Sequence, residues 1–177
     1  MDSLQQLLDF DWPLVLHHVV DMVIAYMLAL PIGWDREKHE RTAGLRTFPL
    51  VAVAACGYTL VGLQVLEGST AHSRVIQGII TGMGFIGGGA ILKSVSEGKG
   101  RVQGTATAAS LWATGAIGLA VATARLEIAV VLSAMTFLTL QVITSAKEHL
   151  PGAKDNTGVA KRTDQDGSGD ESGEGER

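Results

Sequence analysis

Charged residues fall in short clusters along this chain and leave five long apolar intervals between them, at 13–33, 48–66, 75–92, 105–124 and 126–145. A helix needs about 20 mostly apolar residues to cross a hydrocarbon layer of roughly 30 Å, so the pattern predicts five membrane-spanning helices. The third interval is the shortest, and Arg74 and Lys93 are expected to serve as its snorkelling ends. Only Arg125 and Glu127 separate the fourth interval from the fifth, which predicts a helical hairpin turning at 124–127 in preference to one very long helix. Pro13, Pro31, Pro49 and Pro151 are read as lying at or beyond span ends, where a missing amide matters least. The expected fold class is an all-α integral membrane protein, a five-helix transmembrane bundle. It is divided into an external leader at 1–12, a membrane domain at 13–146 and a Gly/Ser-rich acidic tail at 147–177. The tail holds too little apolar surface to offset its ordering entropy and is expected to be disordered.

Composition strengthens the membrane reading, with 46% hydrophobic residues against 18% charged in a chain of 177. Cys56, the single cysteine, excludes an intrachain disulfide framework. Twelve of the 14 lysines and arginines fall in the loop at 34–47, the loop after the third interval and the tail; only Arg74 and Arg125 fall on the other side. The positive-inside rule then places the N-terminus outside and the C-terminus in the cytoplasm. The leader carries Asp2, Asp9 and Asp11 but no basic n-region of a signal peptide.

Within the third interval, Gly82, Gly84, Gly87, Gly88 and Gly89 stand inside an uncharged stretch. Gly82, Gly84 and Gly87 spell a dinucleotide-binding pattern, but that pattern needs a soluble strand–turn–helix context, which is absent. Close helix packing is the favoured account: Gly78 and Gly82, like Gly84 and Gly88, are four apart and form smooth stripes. The alternative is a glycine-broken helix whose carbonyls line a solute path. Thr107, Ser110, Thr114 and Gly118 recur on one face of the fourth span and are the expected partner, supplying interhelical hydrogen bonds. Trp112 lies on another face, and a core groove is favoured for it over a cavity.

Arg46 and Arg74 stand before predicted span starts, where the helix dipole disfavours a cation. Arg46 is expected to join Asp35 or Glu37, beside Arg36, in a polar cluster at the cytoplasmic mouth, with Arg74 in a similar role on the external face. Snorkelling and anchoring is the competing account. Thr47 is expected to cap the second span. His17 and Asp21 share a face of the first span, a candidate proton or ion site, although their shallow depth favours headgroup-level placement equally. Octahedral magnesium needs several oxygen ligands; no span offers such a carboxylate cluster, so no metal site or cofactor is assigned. No nucleophile with an adjacent base and no phosphate loop appears, so no catalytic residue is assigned and the chain is not expected to be an enzyme.

The runs Gly33-Trp34-Asp35-Arg36-Glu37, Ala43-Gly44-Leu45-Arg46-Thr47, Arg74 with Gly82-Met83-Gly84-Phe85-Ile86-Gly87-Gly88-Gly89, and Gly104-Thr105-Ala106-Thr107-Ala108-Ala109-Ser110-Leu111-Trp112-Ala113-Thr114 closely resemble the MgtC/SapB family of bacterial inner-membrane proteins. The resemblance covers roughly 21–145. It implies a role in growth under low magnesium, acid stress or intracellular survival and virulence, through restraint of a membrane complex such as ATP synthase. Many members add a cytoplasmic ACT-type domain. The tail here is too short and polar for one, so the chain resembles the shorter SapB or YhiD-like branch.

Three function classes follow. A regulatory membrane protein, acting through helix contacts with another membrane complex, is favoured. A transporter or channel for Mg²⁺ or another small ion is the alternative, with Gln77, Thr81, Thr107, Ser110 and Gln141 as the available polar lining. An enzyme is the weakest reading. The expected partners are the lipid bilayer, a second copy in a homodimer and a membrane protein, with no nucleic acid.

Overall fold

The computed structural model describes residues 11–39, 43–96 and 99–149, with backbone alone at 92–101 and 143–149. Most of the expected leader and nearly all of the acidic tail lie outside the described residues. Five helices appear among the described residues, as the hydropathy pattern predicts: α1 (Trp12–Lys38), α2 (Thr47–Val65), α3 (Ser69–Gly89), α4 (Thr105–Ala122) and α5 (Leu126–His149). Between α3 and α4 lies an antiparallel hairpin, β1 (Leu92–Ser96) and β2 (Lys99–Gln103), in a register that pairs Leu92 with Gln103 and Ser96 with Lys99. The hydropathy pattern predicts only a loop there. Lys93 is therefore a strand residue and not the snorkelling end of a helix.

The first helix extends beyond its expected end. Its 27 residues begin with Pro13 in the first turn and Asp11 at the N-cap, whose Oδ1 accepts from the Leu14 amide at 3.3 Å. Pro31 lies inside α1 and does not end it. Proline removes one amide and disfavours the preceding helical turn, but in a bilayer the alternative of unpaired backbone favours continuing the helix. Trp12 and Trp34, both exposed, are about 33 Å apart along the axis at 1.5 Å per residue. That spacing matches the hydrocarbon thickness, with tryptophans at both interfaces. α1, α2 and α4 are each long and apolar enough to cross a membrane, while α5 is apolar over Leu126–Val142. α3 begins earlier than expected, so Arg74 lies in its second turn and not before its N-terminus.

α4 is the central helix, packing on α1, α2 and α3. Glycine sets the approach at three helix contacts. A Cβ at Gly118 would overlap the Ala52 carbonyl oxygen of α2, one at Gly115 would stand 2.8 Å from Met83 Cγ of α3, and one at Gly62 would stand 2.8 Å from Val75 of α3. The core these contacts enclose is built from Ala25, Ala29, Ile32, Phe48, Ala52, Cys56, Met83, Leu111, Ile117 and Val121. Small residues suit this interior, because lipid is as apolar as leucine and association depends on close van der Waals contact. α5 joins through Ala129, Leu140 and a hydrogen bond from Ser133 Oγ to the Leu28 carbonyl of α1 at 2.6 Å. The turn between α4 and α5 falls where the sequence predicts it: Ala124 has φ 56°, and the Arg125 amide returns to the Ala120 carbonyl at 2.9 Å.

Candidate functional site

The last two turns of α1 carry the densest polar cluster among the described residues. Asp35 and Arg36, adjacent in sequence near the end of α1, are 1% and 4% exposed. The Arg36 guanidinium donates from Nη2 and Nε to Asp35 Oδ2 at 2.6 and 3.1 Å. The other carboxylate oxygen, Oδ1, accepts from Gln141 Nε2 of α5 at 3.1 Å. His39 Nδ1 stands 2.7 Å from the Asp35 carbonyl, one turn back. Each buried polar side-chain atom among the described residues has a partner. That matters because an uncompensated buried charge is strongly destabilising.

The segment Ala43 to Arg46 folds over this end of α1. A Cβ at Gly33 would stand 3.2 Å from the Gly44 oxygen, and one at Gly44 would overlap the Glu37 carboxylate. Gly33 and Glu37 are one helical turn apart, so Gly33 accepts the loop backbone while Glu37 Oε2 accepts the Leu45 amide at 3.2 Å. The Gly44 carbonyl in turn accepts both the Thr47 and Phe48 amides, at 3.0 and 3.1 Å. The loop therefore ties the end of α1 to the start of α2. A groove of about 520 Å³ opens beside it, lined by Pro31, Trp34, Asp35, Lys38, Phe137 and Gln141 among others.

Several expected positions move. Arg46 does not join Asp35: it occupies the N-cap position of α2, is exposed, and has no side-chain partner among the described residues. Arg36, one residue from Asp35, takes that place, because the positive end of α2 repels a cation while an adjacent guanidinium reaches the carboxylate directly. Thr47 is the first helical residue, and the Gly44 carbonyl does the work expected of its hydroxyl. Arg74 is exposed at the opposite end of the bundle, beside Glu67 and Thr70. There His17 Nε2 lies 3.6 Å from Asp21 Oδ2, and His18 Nε2 meets Gln64 Nε2 of α2 at 2.5 Å. Among the described residues no three His, Cys, Asp or Glu side chains gather as a metal site would require.

The glycine helix differs most from expectation. Of its stripes, only Gly87 approaches α4, where an added Cβ would stand 3.4 Å from the Ala108 oxygen; Met83, one turn earlier, is the buried knob. Gly78, Gly82, Gly84 and Gly88 have nothing within 4 Å of an added Cβ. The face opposite the Met83–Gly87 line is thus open, with exposed Phe85 projecting between the Gly78–Gly82 and Gly84–Gly88 stripes. The hydroxyls of α4 do not bridge to α3: Ser110 Oγ donates to the Ala106 carbonyl at 2.9 Å and Thr114 Oγ1 to the Ser110 carbonyl at 2.8 Å. Buried hydroxyls without a polar neighbour across the seam are satisfied by their own helix. Gly118 packs on α2. Trp112 fills no groove; at 52% exposure it points outward, where surrounding lipid solvates an indole as well as a protein core does. Of the polar positions available to line a pathway, Gln77 and Thr81 are exposed and Gln141 is committed to Asp35.

A five-helix membrane bundle with a buried acid–guanidinium pair at one mouth and an open glycine face on its third helix defines the class. The MgtC family matches residues 22–149, and the chain belongs to it. Protein SrpB of Synechococcus elongatus is 34% identical over 128 residues, which cover 67% of this chain and 70% of that protein. Protein MgtC of Brucella abortus is 37% identical over 108 residues, 61% of this chain but 43% of its own length. A protein named putative magnesium transporter YhiD, of Escherichia coli, is 30% identical over 131 residues, 70% of this chain and 59% of its own. The chain thus spans less than two thirds of the latter two relatives. No solved structure matches.

Proposed function

We propose that this chain is a non-enzymatic regulator in the magnesium- and stress-related family to which it belongs, acting through helix contacts with another membrane complex of the ATP synthase kind. The observation that carries the reading is the open ridge of Gly84 and Gly88 on α3, flanked by exposed Gln77 and Thr81. Interior glycines are unfavourable in a helix by roughly 1 kcal/mol each against alanine, and these two meet nothing within the chain. A ridge of that kind admits a second helix at close range, with polar side chains for hydrogen bonds. The protein resides in the bacterial inner membrane with its N-terminus outside and its C-terminus in the cytoplasm, supported by the twelve-to-two distribution of basic residues. It forms a homodimer, since five helices from so short a chain enclose little core.

The test replaces Gly84 and Gly88 by leucine. Both positions have room, so the variant folds and inserts normally but loses co-purification with its membrane partner and its effect on growth in low magnesium. A variant that folds and retains both overturns the reading. A monodisperse monomer in mild detergent and in native membranes overturns the dimer.

An ion-transport reading draws on buried Asp35, since ionisable groups at membrane depth default to functional candidates. Arg36 neutralises that carboxylate, which weakens it as a cation site. Liposomes of purified protein that pass magnesium or protons down a gradient would favour transport over regulation.

A further inference from the structure

An apolar groove of about 530 Å³ runs between α2 and α3, from Val51 and Ile86 to Leu66 and Val75 at the end of the bundle away from Asp35, with Gly78 and Gly82 forming its floor and Tyr58, Val61 and Ile79 among its walls. Volumes of this size suit small-molecule ligands, which are typically held by apolar walls and a few placed polar groups. A second, polar pocket is lined by Leu66, Glu67, Thr70, Ala71, Arg74 and Val75. The two share Leu66 and Val75, so the polar pocket forms the mouth of the apolar groove.

The mouth holds one cation and one anion. Arg74 and Glu67 are both exposed, and neither has a hydrogen bond or ion pair among the described residues. His72 is engaged elsewhere, its Nε2 being 2.7 Å from the Leu66 carbonyl. Arg74 is also one of only two basic residues on its side of the bundle, so orientation bias does not account for it. Its helix offers no compensation either, since a cation in the first turns meets the positive end of the dipole.

We propose that this groove is a binding site for a zwitterionic phospholipid of the ethanolamine class: one acyl chain lies along Gly78 and Gly82, the phosphate meets Arg74 and the ammonium meets Glu67. Charge complementarity decides the occupant. A purely anionic headgroup would satisfy Arg74 but be repelled by Glu67, and a transmembrane helix of a second copy would leave both charges unmet. A choline headgroup offers no N–H donor to Glu67. The site is separate from the Gly84–Gly88 ridge, which lies on another face of α3, so the regulatory reading can fail without this one.

The experiment uses the full chain purified in mild detergent, with native mass spectrometry of complexes formed with ethanolamine, glycerol and choline phospholipids of matched acyl chains. The ethanolamine lipid is retained preferentially. Arg74→Gln lowers its retention about fivefold, as expected for loss of roughly 1 kcal/mol from one basic contact at a lipid surface. Glu67→Gln removes the preference over the glycerol lipid while leaving phosphate binding. Gly82→Leu, whose Cβ meets nothing within 4 Å and whose side chain fills the groove floor, reduces retention of all three. Equal retention of the three lipids by the unmodified protein, or retention indifferent to Arg74→Gln, overturns the proposal. A disulfide between two copies carrying Gly78→Cys, formed efficiently in native membranes, overturns it in favour of a protein occupant.

Discussion

Gly118→Ala adds a single carbon where α4 crosses α2, and the structure sets its effect. The new Cβ would overlap the Ala52 carbonyl oxygen and stand 3.0 Å from both the Ala52 carbonyl carbon and the Cys56 amide nitrogen. Ordinary contacts between heavy atoms lie at about 3.5–4.0 Å, and these neighbours are backbone, which cannot rotate aside. The helices must separate by roughly 1 Å, a gap that forfeits about a quarter to a half of each dispersion contact. With on the order of 40 atom pairs across the seam at about 0.15 kcal/mol each, the loss is about 1.5–3 kcal/mol, within the range for overpacking. Gly115→Ala is the internal comparison: its Cβ would stand 2.8–3.3 Å from Met83 side-chain atoms, which can re-rotate, so it loses about 1 kcal/mol or less. Gly84→Ala meets nothing within 4 Å of its new Cβ and gains up to about 1 kcal/mol of helix propensity. Reversible unfolding in bicelles or mixed micelles, followed by helical circular dichroism, measures all three. Equal stability of the Gly118 and Gly84 variants would refute the assignment of Gly118 to the packed seam.

Three further outcomes are expected. Asp35→Asn leaves Arg36 buried without its counter-ion and destabilises the bundle by about 3–5 kcal/mol; adding Arg36→Gln to it recovers part of that loss in the same unfolding assay. Gly44→Ala displaces the Glu37 carboxylate from the Leu45 amide, a hydrogen bond to a charged group worth about 1.5–3 kcal/mol, and is read as faster proteolysis between α1 and α2. Thr114→Val is near neutral because that hydroxyl bonds its own helix, whereas Ser133→Ala, which breaks the interhelical bond to Leu28, costs about 0.6 kcal/mol.

Much of the architecture is legible in hydropathy, because membrane-length apolar runs are long signals that local chemistry cannot counterfeit. The short interruption at Arg125 correctly marks the hairpin between α4 and α5. The β hairpin escapes the same reading: Lys99-Gly100-Arg101-Val102-Gln103 looks like a charged loop, although glycine at 98 and 100 between two stretches containing Val95 and Val102 was a usable turn signal. The candidate site is legible in part. Asp35 and Glu37 are prominent as charges at a span end, but the sequence does not say that Arg36 would turn inward while Arg46 turned out, nor that Gln141, 106 positions from Asp35, would supply the second hydrogen bond.

By itself the sequence determines that this is a membrane protein with five helices, where they begin and end to within a turn or two, and the family to which it belongs. The helices follow from composition and spacing along one dimension, and the family from the motifs its members share. Which face of each helix is buried was decided by the tertiary structure alone. The glycines of α3 form stripes in any rotation of that helix, and both stripes are equally suited to packing on local grounds. Met83 reaching into the space left by Gly115, and Gly118 closing against Ala52, select one rotation. Once those contacts are made, Gly87 meets α4 while Gly78, Gly82, Gly84 and Gly88 are turned outward, and the most conspicuous feature of the chain becomes its open surface.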